Sequence, residues 1–209
     1  NGNGTAAYID TLGEAEKVLV QEATASLFTI AKDVKIQVEF NPATISEYRL
    51  IGYETRHLNN EDFNNDRVDA GDIGSGHTVT AIYEMTPKGA PGTNDPLRYE
   101  TKDAKPASDA TGEYAFVKIR YKLPSEAISR LVTQPVTDAN AVADLAAAAE
   151  DVRFGIAVSA FGQKLRDEDQ VANYGLGDIE QLASGAKGTD AFGYRGEFLK
   201  LVRFAAGLK

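Results

Sequence analysis

DVKIQVEFNP, residues 33–42, decides the fold class of this chain. Val34, Ile36, Val38 and Phe40 alternate with Lys35, Gln37 and Glu39, the period of a half-buried β-strand, and Asn41-Pro42 stops it. The spacing predicts an antiparallel sheet layer here, because similar runs follow at intervals. EYRLIGYE (47–54) is rich in aromatic and β-branched residues, with a central Gly52 expected to mark a bulge. HTVTAIYEM (77–85) sets Val79, Ala81, Tyr83 and Met85 on one face. EYAFVKIRYKL (113–123) sets Ala115, Val117, Ile119, Tyr121 and Leu123 on one face, with Lys118, Arg120 and Lys122 opposite. LRYE (97–100) and SRLVTQ (129–134) are short edge candidates. Strands separated by polar turns over 33–136 predict an antiparallel β-sandwich. Between two of them, residues 88–112 form a long Gly-, Pro-, Asp- and Lys-rich surface connection.

Outward from this region the period changes to that of helices. Upstream, AAYI is a brief strand, and Thr11 and Glu14 have the spacing of a capping box ahead of Leu12, Ala15, Val18 and Leu19. Downstream, Asp138 is placed to cap an alanine-rich helix, ANAVADLAAAAED. VRFGIAVSAFGQKLR then groups Phe154, Ala157, Val158, Phe161 and Leu165. GDIEQLASGAKG predicts a short helix ending at Gly185 or Gly188, and Asp190 a cap for a last helix carrying Tyr194, Phe198, Leu201, Val202 and Ala205. Residues 137–209 thus read as a small helical bundle. Gly155, Gly162, Gly193 and Gly196 fall inside helical patterns, and close helix–helix approach would account for them. The fold class is α+β: an antiparallel sandwich followed by a C-terminal helical bundle.

Composition narrows the function. The 209 residues carry a net charge of −9, which disfavours nucleic acid and anionic membrane surfaces as partners. No apolar run is long enough to span a bilayer. There is no cysteine, hence no disulfide, thiolate metal site or cysteine nucleophile. His57 and His77 lack zinc-site spacing. No G-x-S-x-G elbow occurs, GDIGSGH lacks the Lys-Ser/Thr pair of a phosphate loop, and GLGDIE is no dinucleotide fingerprint.

One stretch looks like chemistry. NNEDFNNDRVDAGDIGSGH (59–77) holds five carboxylates, four asparagines and three glycines. Counted as a calcium loop from Asp62, positions 1, 3 and 5 are Asp62, Asn64 and Asp66, but position 6 is Arg67 and position 12 is Ile73. Asp69 and Asp72 lie nearby, out of register. The five residues Asp62, Asn64, Asp66, Asp69 and Asp72 are the candidate metal ligands. The competing reading is a polar connection between strands. The basic face Lys118, Arg120, Lys122 reads as a solvated strand face. No carboxylate pair stands out for acid–base catalysis, so a hydrolase has no nominated residues.

Several segments together resemble one bacterial family: GNGTAAYIDTLGEAEKVLV, AKDVKIQVEFNPATISEYRLIGYETR, EDFNNDRVDAGDIGSGHTVTAIYE, KIRYKLP and DAFGYRGEFLKLVRFA. They are similar to the C-terminal half of YfbK-like proteins, which carry a von Willebrand factor type A domain. The resemblance implies that residues 1–32 are the last strand and helix of that domain, followed by an uncharacterised region at 33–136 and 137–209. The family's divalent-cation site begins with Asp-x-Ser-x-Ser, which is absent here, so Mg²⁺ or Ca²⁺ is expected only upstream in the parent protein and no cofactor in this chain. The resemblance also implies an exported, often lipid-anchored protein of the bacterial envelope, periplasmic or at the cell surface. The function expected is a non-enzymatic interaction or scaffold module with an unidentified protein partner. A calcium-dependent module using 59–72 and an uncharacterised hydrolase are the alternatives.

Overall fold

The computed structural model describes residues 8, 9, 15, 16, 18, 19, 28–52, 58–92 and 112–208. Most of the strand and capped helix expected over 1–32, His57 and the edge strand expected at 97–100 lie outside them. The class is α+β: among the residues described from 28 on there are two open antiparallel sheets, with the α-helices following the strands. The chain divides into two compact units. One contains Asn1–Tyr48, Glu54–Val79 and Met85–Ala139; the other contains Arg49–Tyr53, Thr80–Glu84 and Asn140–Lys209.

The first unit is built on a four-stranded sheet in the order β3-β1-β5-β6: β3 (Gly71–Gly74), β1 (Thr29–Phe40), β5 (Glu113–Lys122) and β6 (Arg130–Thr137). The alternation in 33–40 and 113–123 is realised as an unbroken antiparallel register from Lys35↔Arg120 to Phe40↔Ala115. β6, expected as a short edge strand, is eight residues long and lies at the edge. Asn41-Pro42 ends β1 as expected. The Asn41 side chain accepts from the Ala43 N–H (2.9 Å) and donates to the Glu113 carbonyl (2.9 Å), turning the chain into β2 (Ile45–Ile51). Phe40 and Tyr48 stack across that turn with ring centroids 4.2 Å apart.

β2 pairs with β4 (Ile82–Pro87) in a second, two-stranded sheet. Two expectations fail here. Gly52 does not bulge the strand; β2 ends at Ile51 and Gly52 follows in a left-handed turn at φ +78°. Residues 77–81 are not strand, and the face expected to point inward is open at Val79 and Met85 (54% and 41% exposed). Among the described residues HTVTA is not paired in a sheet, and propensity without a partner does not make a strand.

The second unit holds three helices: α1 (Glu150–Leu165), α2 (Leu176–Gly185) and α3 (Tyr194–Gly207). Its core is Ala157, Ala160, Phe161, Ile179, Ala183, Leu199 and Val202. Phe198 of α3 sits edge-on to both Phe154 and Phe161 of α1, with centroids 5.3 and 5.4 Å away. Asp190 caps α3 as expected, its carboxylate accepting from the Arg195 and Gly196 N–H groups at 3.0 and 2.8 Å. The buried stripe of α1 differs from the expected one, because Ala160 is buried while Val158 and Leu165 are exposed.

The helix expected from Asp138 does not form. Residues 138–149 contain two short 3-10 turns, and α1 starts only at Glu150. Asp144, not Asp138, caps the second turn by accepting from Ala147 N–H at 2.9 Å. Val142 and Leu145 stay exposed there. Alanine propensity alone does not sustain a short helix that buries no apolar face. Nor do close helix contacts explain the four glycines. A Cβ on Gly155 would meet the Ile82 side chain, one on Gly196 the Asp190 carboxylate, and one on Gly162 nothing; Gly193 has φ +79° at the start of α3.

Candidate functional site

The calcium-like loop and the basic strand face, two separate features of the sequence, meet in the structure. β1 bulges between Lys32 and Lys35, and Asp33 at the bulge adopts φ +50°, a left-handed conformation that aspartate tolerates. This turns the Asp33 carboxylate onto the basic face, where it accepts from Lys122 Nζ at 2.6 Å and from the Ala70 N–H at 3.3 Å. Residues 59–70, ahead of the edge strand β3, lie against that face, with the buried Phe63 among them.

Several of the loop's oxygens, the carbonyls of Asp62, Asn65 and Asp66 and the side chains of Asn64 and Asp66, are occupied by the protein's own cations. Lys35, only 4% exposed, donates through Nζ to the carbonyls of Asp62 (3.2 Å) and Asn65 (2.5 Å). Lys122 Nζ donates to the Asp66 carbonyl at 2.7 Å. Arg120 donates to Asn64 Oδ1 (3.2 Å) and to Asp66 Oδ1 (3.0 Å), and the Ser129 hydroxyl also donates to Asp66. An ammonium presented to backbone carbonyls is electrostatically what a metal ion presented to them would be.

Each candidate ligand is thus placed. Asp66 is the hub. Its side chain is held by Ser129 and Arg120, which lower its pKa from 3.8 to about 2. Asn64 shares Arg120 with it. Asp62 offers its carbonyl to Lys35, while its carboxylate accepts from Asn59 Nδ2 at 3.2 Å. Asp72 accepts from the Asp33 N–H at 3.2 Å, and Asp69 is exposed. Burial pushes the Asp33 carboxyl up, but the Lys122 ammonium and the Ala70 N–H outweigh it and leave the pKa below 3.8. The structure brings Asn64 and Asp66 together on Arg120 and sends Asp62, Asp69 and Asp72 elsewhere. Among the described residues no group of three His, Cys, Asp or Glu side chains is arranged to hold a metal.

Sequence reasoning missed four members of this cluster: Lys35, read as an outward polar residue of β1; Asp33; Phe63; and Ser129. The expectation of a solvated basic face is corrected at Arg120 and Lys122 and holds at Lys118, whose ion pair is at the surface. Lys118 pairs with Glu39 at 3.1 Å, and Arg120 and Lys122 lie under the loop. The available signal was the match of three alternating cations to an acid- and amide-rich loop in one chain. The second unit has its own hub in Arg49, which donates to Glu84 (2.6 Å), Glu168 (3.1 Å) and the buried Gln163 (2.5 Å).

Residues 25–208 match the family described as "Uncharacterized protein YfbK, C-terminal". The chain belongs to that family. The curated Uncharacterized protein YfbK of Escherichia coli (strain K12) is 48% identical over 207 residues, which cover 99% of this chain and 35% of the relative. The YfbK C-terminal region is therefore about a third of the relative's length. No solved structure matches the chain significantly. No helix among the described residues is long and apolar enough to cross a membrane.

Proposed function

We propose that this YfbK C-terminal region is a non-enzymatic interaction and scaffold module, and that its partner is the type A domain of its own parent protein in the bacterial envelope. The observation that carries the reading is the sidedness of the four-stranded sheet. One side carries Lys35, Arg120 and Lys122, covered by the acidic loop over β1 and β5, with Leu131 of the edge strand open beside them (55% exposed). On the other side the cross-strand row Ile36↔Ile119↔Val132 leaves Ile36 and Val132 41% and 50% exposed. Apolar rows left open on a sheet are interaction surfaces by default.

The relative's length supports the choice of partner. About two thirds of it lies beyond the region shared with this chain. The family match begins at residue 25, whereas the similarity to the relative covers 99% of the chain, so the first residues are shared with the relative but precede the family region. A domain joined directly ahead of β1 is present at high effective concentration, so a modest apolar face suffices to hold it. Any divalent cation in this reading belongs to the type A domain.

The test is calorimetric titration of this chain with the separately produced upstream region. One-to-one binding is expected, and it is lost in Ile36→Asp/Val132→Asp with an unchanged circular dichroism spectrum. Binding that survives the double substitution removes the sheet face from the proposal, and no binding removes the type A domain as the partner.

A further inference from the structure

A cleft of about 460 Å³ opens in the helical unit, between the first turn of α1 and the connection from α2 to α3. That volume lies in the range of small-ligand sites. Its wall is a tightly specified piece of backbone. Gly188, Asp190 and Gly193 all have positive φ (+57°, +45° and +79°) within six residues. The positive φ is what favours glycine at 188, and a Cβ there would lie 2.9 Å from Glu150 Oε2, the end of a side chain free to swing aside.

Accounting for the charges around the cleft decides which ligand it suits. Arg195 is fully engaged: it pairs with Asp151, donates to the Ala186 carbonyl at 2.9 Å and lies over the Phe154 ring at 4.7 Å. Lys187 faces Asp190 at 3.7 Å, and Asp190 is committed to the α3 amides. One lining carboxylate is left over. Glu150 has no hydrogen-bond or ion-pair partner among the described residues, and its oxygen hangs over Gly188. Beside it stand two rings, Phe192 and Tyr194, with centroids 6.0 Å apart, and Phe192 is 64% exposed. An exposed, unpaired carboxylate lining the same cleft as the exposed Phe192 ring and the half-buried Tyr194 is complementary to a cation carried on an apolar stem. An anion would find both lining cations already neutralised.

We propose that this cleft binds an organic cation, an alkylammonium or guanidinium group on a short aliphatic stem, with Glu150 as counter-ion and Phe192 and Tyr194 as the apolar and cation–π walls. The same chemistry is offered by a free amine and by a lysine or arginine side chain of a protein. The test is amide NMR of the 209-residue chain titrated with n-butylammonium, with N-acetyl-lysine methylamide and N-acetyl-arginine methylamide, and with the neutral N-acetyl-norleucine methylamide. The expected result is millimolar binding of the cations, with shifts centred on Glu150, Gly188 and Phe192. Losing one such contact weakens binding by about tenfold at most, so Glu150→Gln and Phe192→Ala should each show a clear fraction of that loss. The amide spectrum of each variant reports its folding in the same experiment. Tighter binding of an amino-acid amide than of n-butylammonium assigns the cleft to a protein side chain, and equal binding assigns it to a free amine. Equal shifts from the neutral probe, unchanged affinity in Glu150→Gln, or no shifts with any probe would overturn the proposal.

Discussion

Lys35→Met should loosen residues 59–76 from the sheet and destabilise the protein by about 2 kcal/mol. Lys35 is 4% exposed and its ammonium makes two hydrogen bonds to backbone carbonyls, at 3.2 and 2.5 Å. Hydrogen bonds to a charged group contribute about 1.5–3 kcal/mol each. Two terms reduce the sum. Methionine avoids the cost of burying an ammonium, and Asn65 is exposed, so its carbonyl can recover a water. The aliphatic stem is retained by Met, so no cavity term is added. With a urea m-value of about 2 kcal/mol per molar, the midpoint should fall by about 1 M at unchanged m. The matched control is Lys32→Met on the same strand, where the side chain is exposed and the change should stay within about 0.5 kcal/mol. Amide exchange should accelerate at Phe63 and Val68 in the Lys35 variant only. Equal midpoints for the two variants would refute the view that the loop is clasped by a buried internal cation.

Acid should act on the same cluster. A carboxylate with depressed pKa stabilises the fold fully above its unfolded value of 3.8, and this is lost as pH falls through the folded value, which for Asp66 is about 2. Urea midpoints should therefore drop between about pH 4 and pH 2, less steeply in Asp66→Asn; identical slopes would exclude Asp66 as the acid-labile group. Phe63→Ala should cost about 3–5 kcal/mol, read from denaturant unfolding, because it removes the loop's buried aromatic side chain. Ile179→Ala, at a fully buried position of the helical core, should cost about 2–5 kcal/mol; a cost under about 1 kcal/mol would mean that this core collapses around the gap. Adding Ca²⁺ to the folded chain should leave its melting temperature unchanged, since several of the loop oxygens already face lysine and arginine; a rise with Ca²⁺ would reopen the metal reading.

Periodicity told which residues share a face, but not which face is covered. In β1 the alternation of 33–40 is correct, yet Lys35 is buried at 4% while Ile36 is 41% exposed. Hydrophobicity predicts the buried side only when burial is driven by apolar contact, and here one side is buried by ion pairs and backbone carbonyls. The same limit explains the candidate site. Ligand spacing in 59–72 was tested against an external ion, whereas the partners lie 56 residues downstream at Lys122 and 27 upstream at Lys35, separations that no local motif encodes. Helix boundaries were legible where a cap and an apolar stripe coincide, as at Asp190 and Val202. They failed at 138–149, where propensity stood alone.

The ion cluster bears on function through the face it leaves available. The loop covers the polar side of the sheet over β1 and β5, and the other side carries the open pair Ile36 and Val132, on an inner and an edge strand. Fixing the loop also fixes the β1 bulge at Asp33, because Asp33 contacts Lys122, Ala70 and Asp72 at once. The bulge sets the twist of β1 relative to β5, and with it the line of the Ile36↔Ile119↔Val132 row on the opposite side. Lys35→Met should then weaken partner binding even though Lys35 lies on the far side of the sheet. Ile36→Asp/Val132→Asp should abolish binding, at a cost of about 1 kcal/mol per site in strand stability, which the urea midpoint reports separately. A partner whose affinity is untouched by Lys35→Met, while the double substitution abolishes it, would show that the two sides of the sheet act independently and that the clasp serves stability alone.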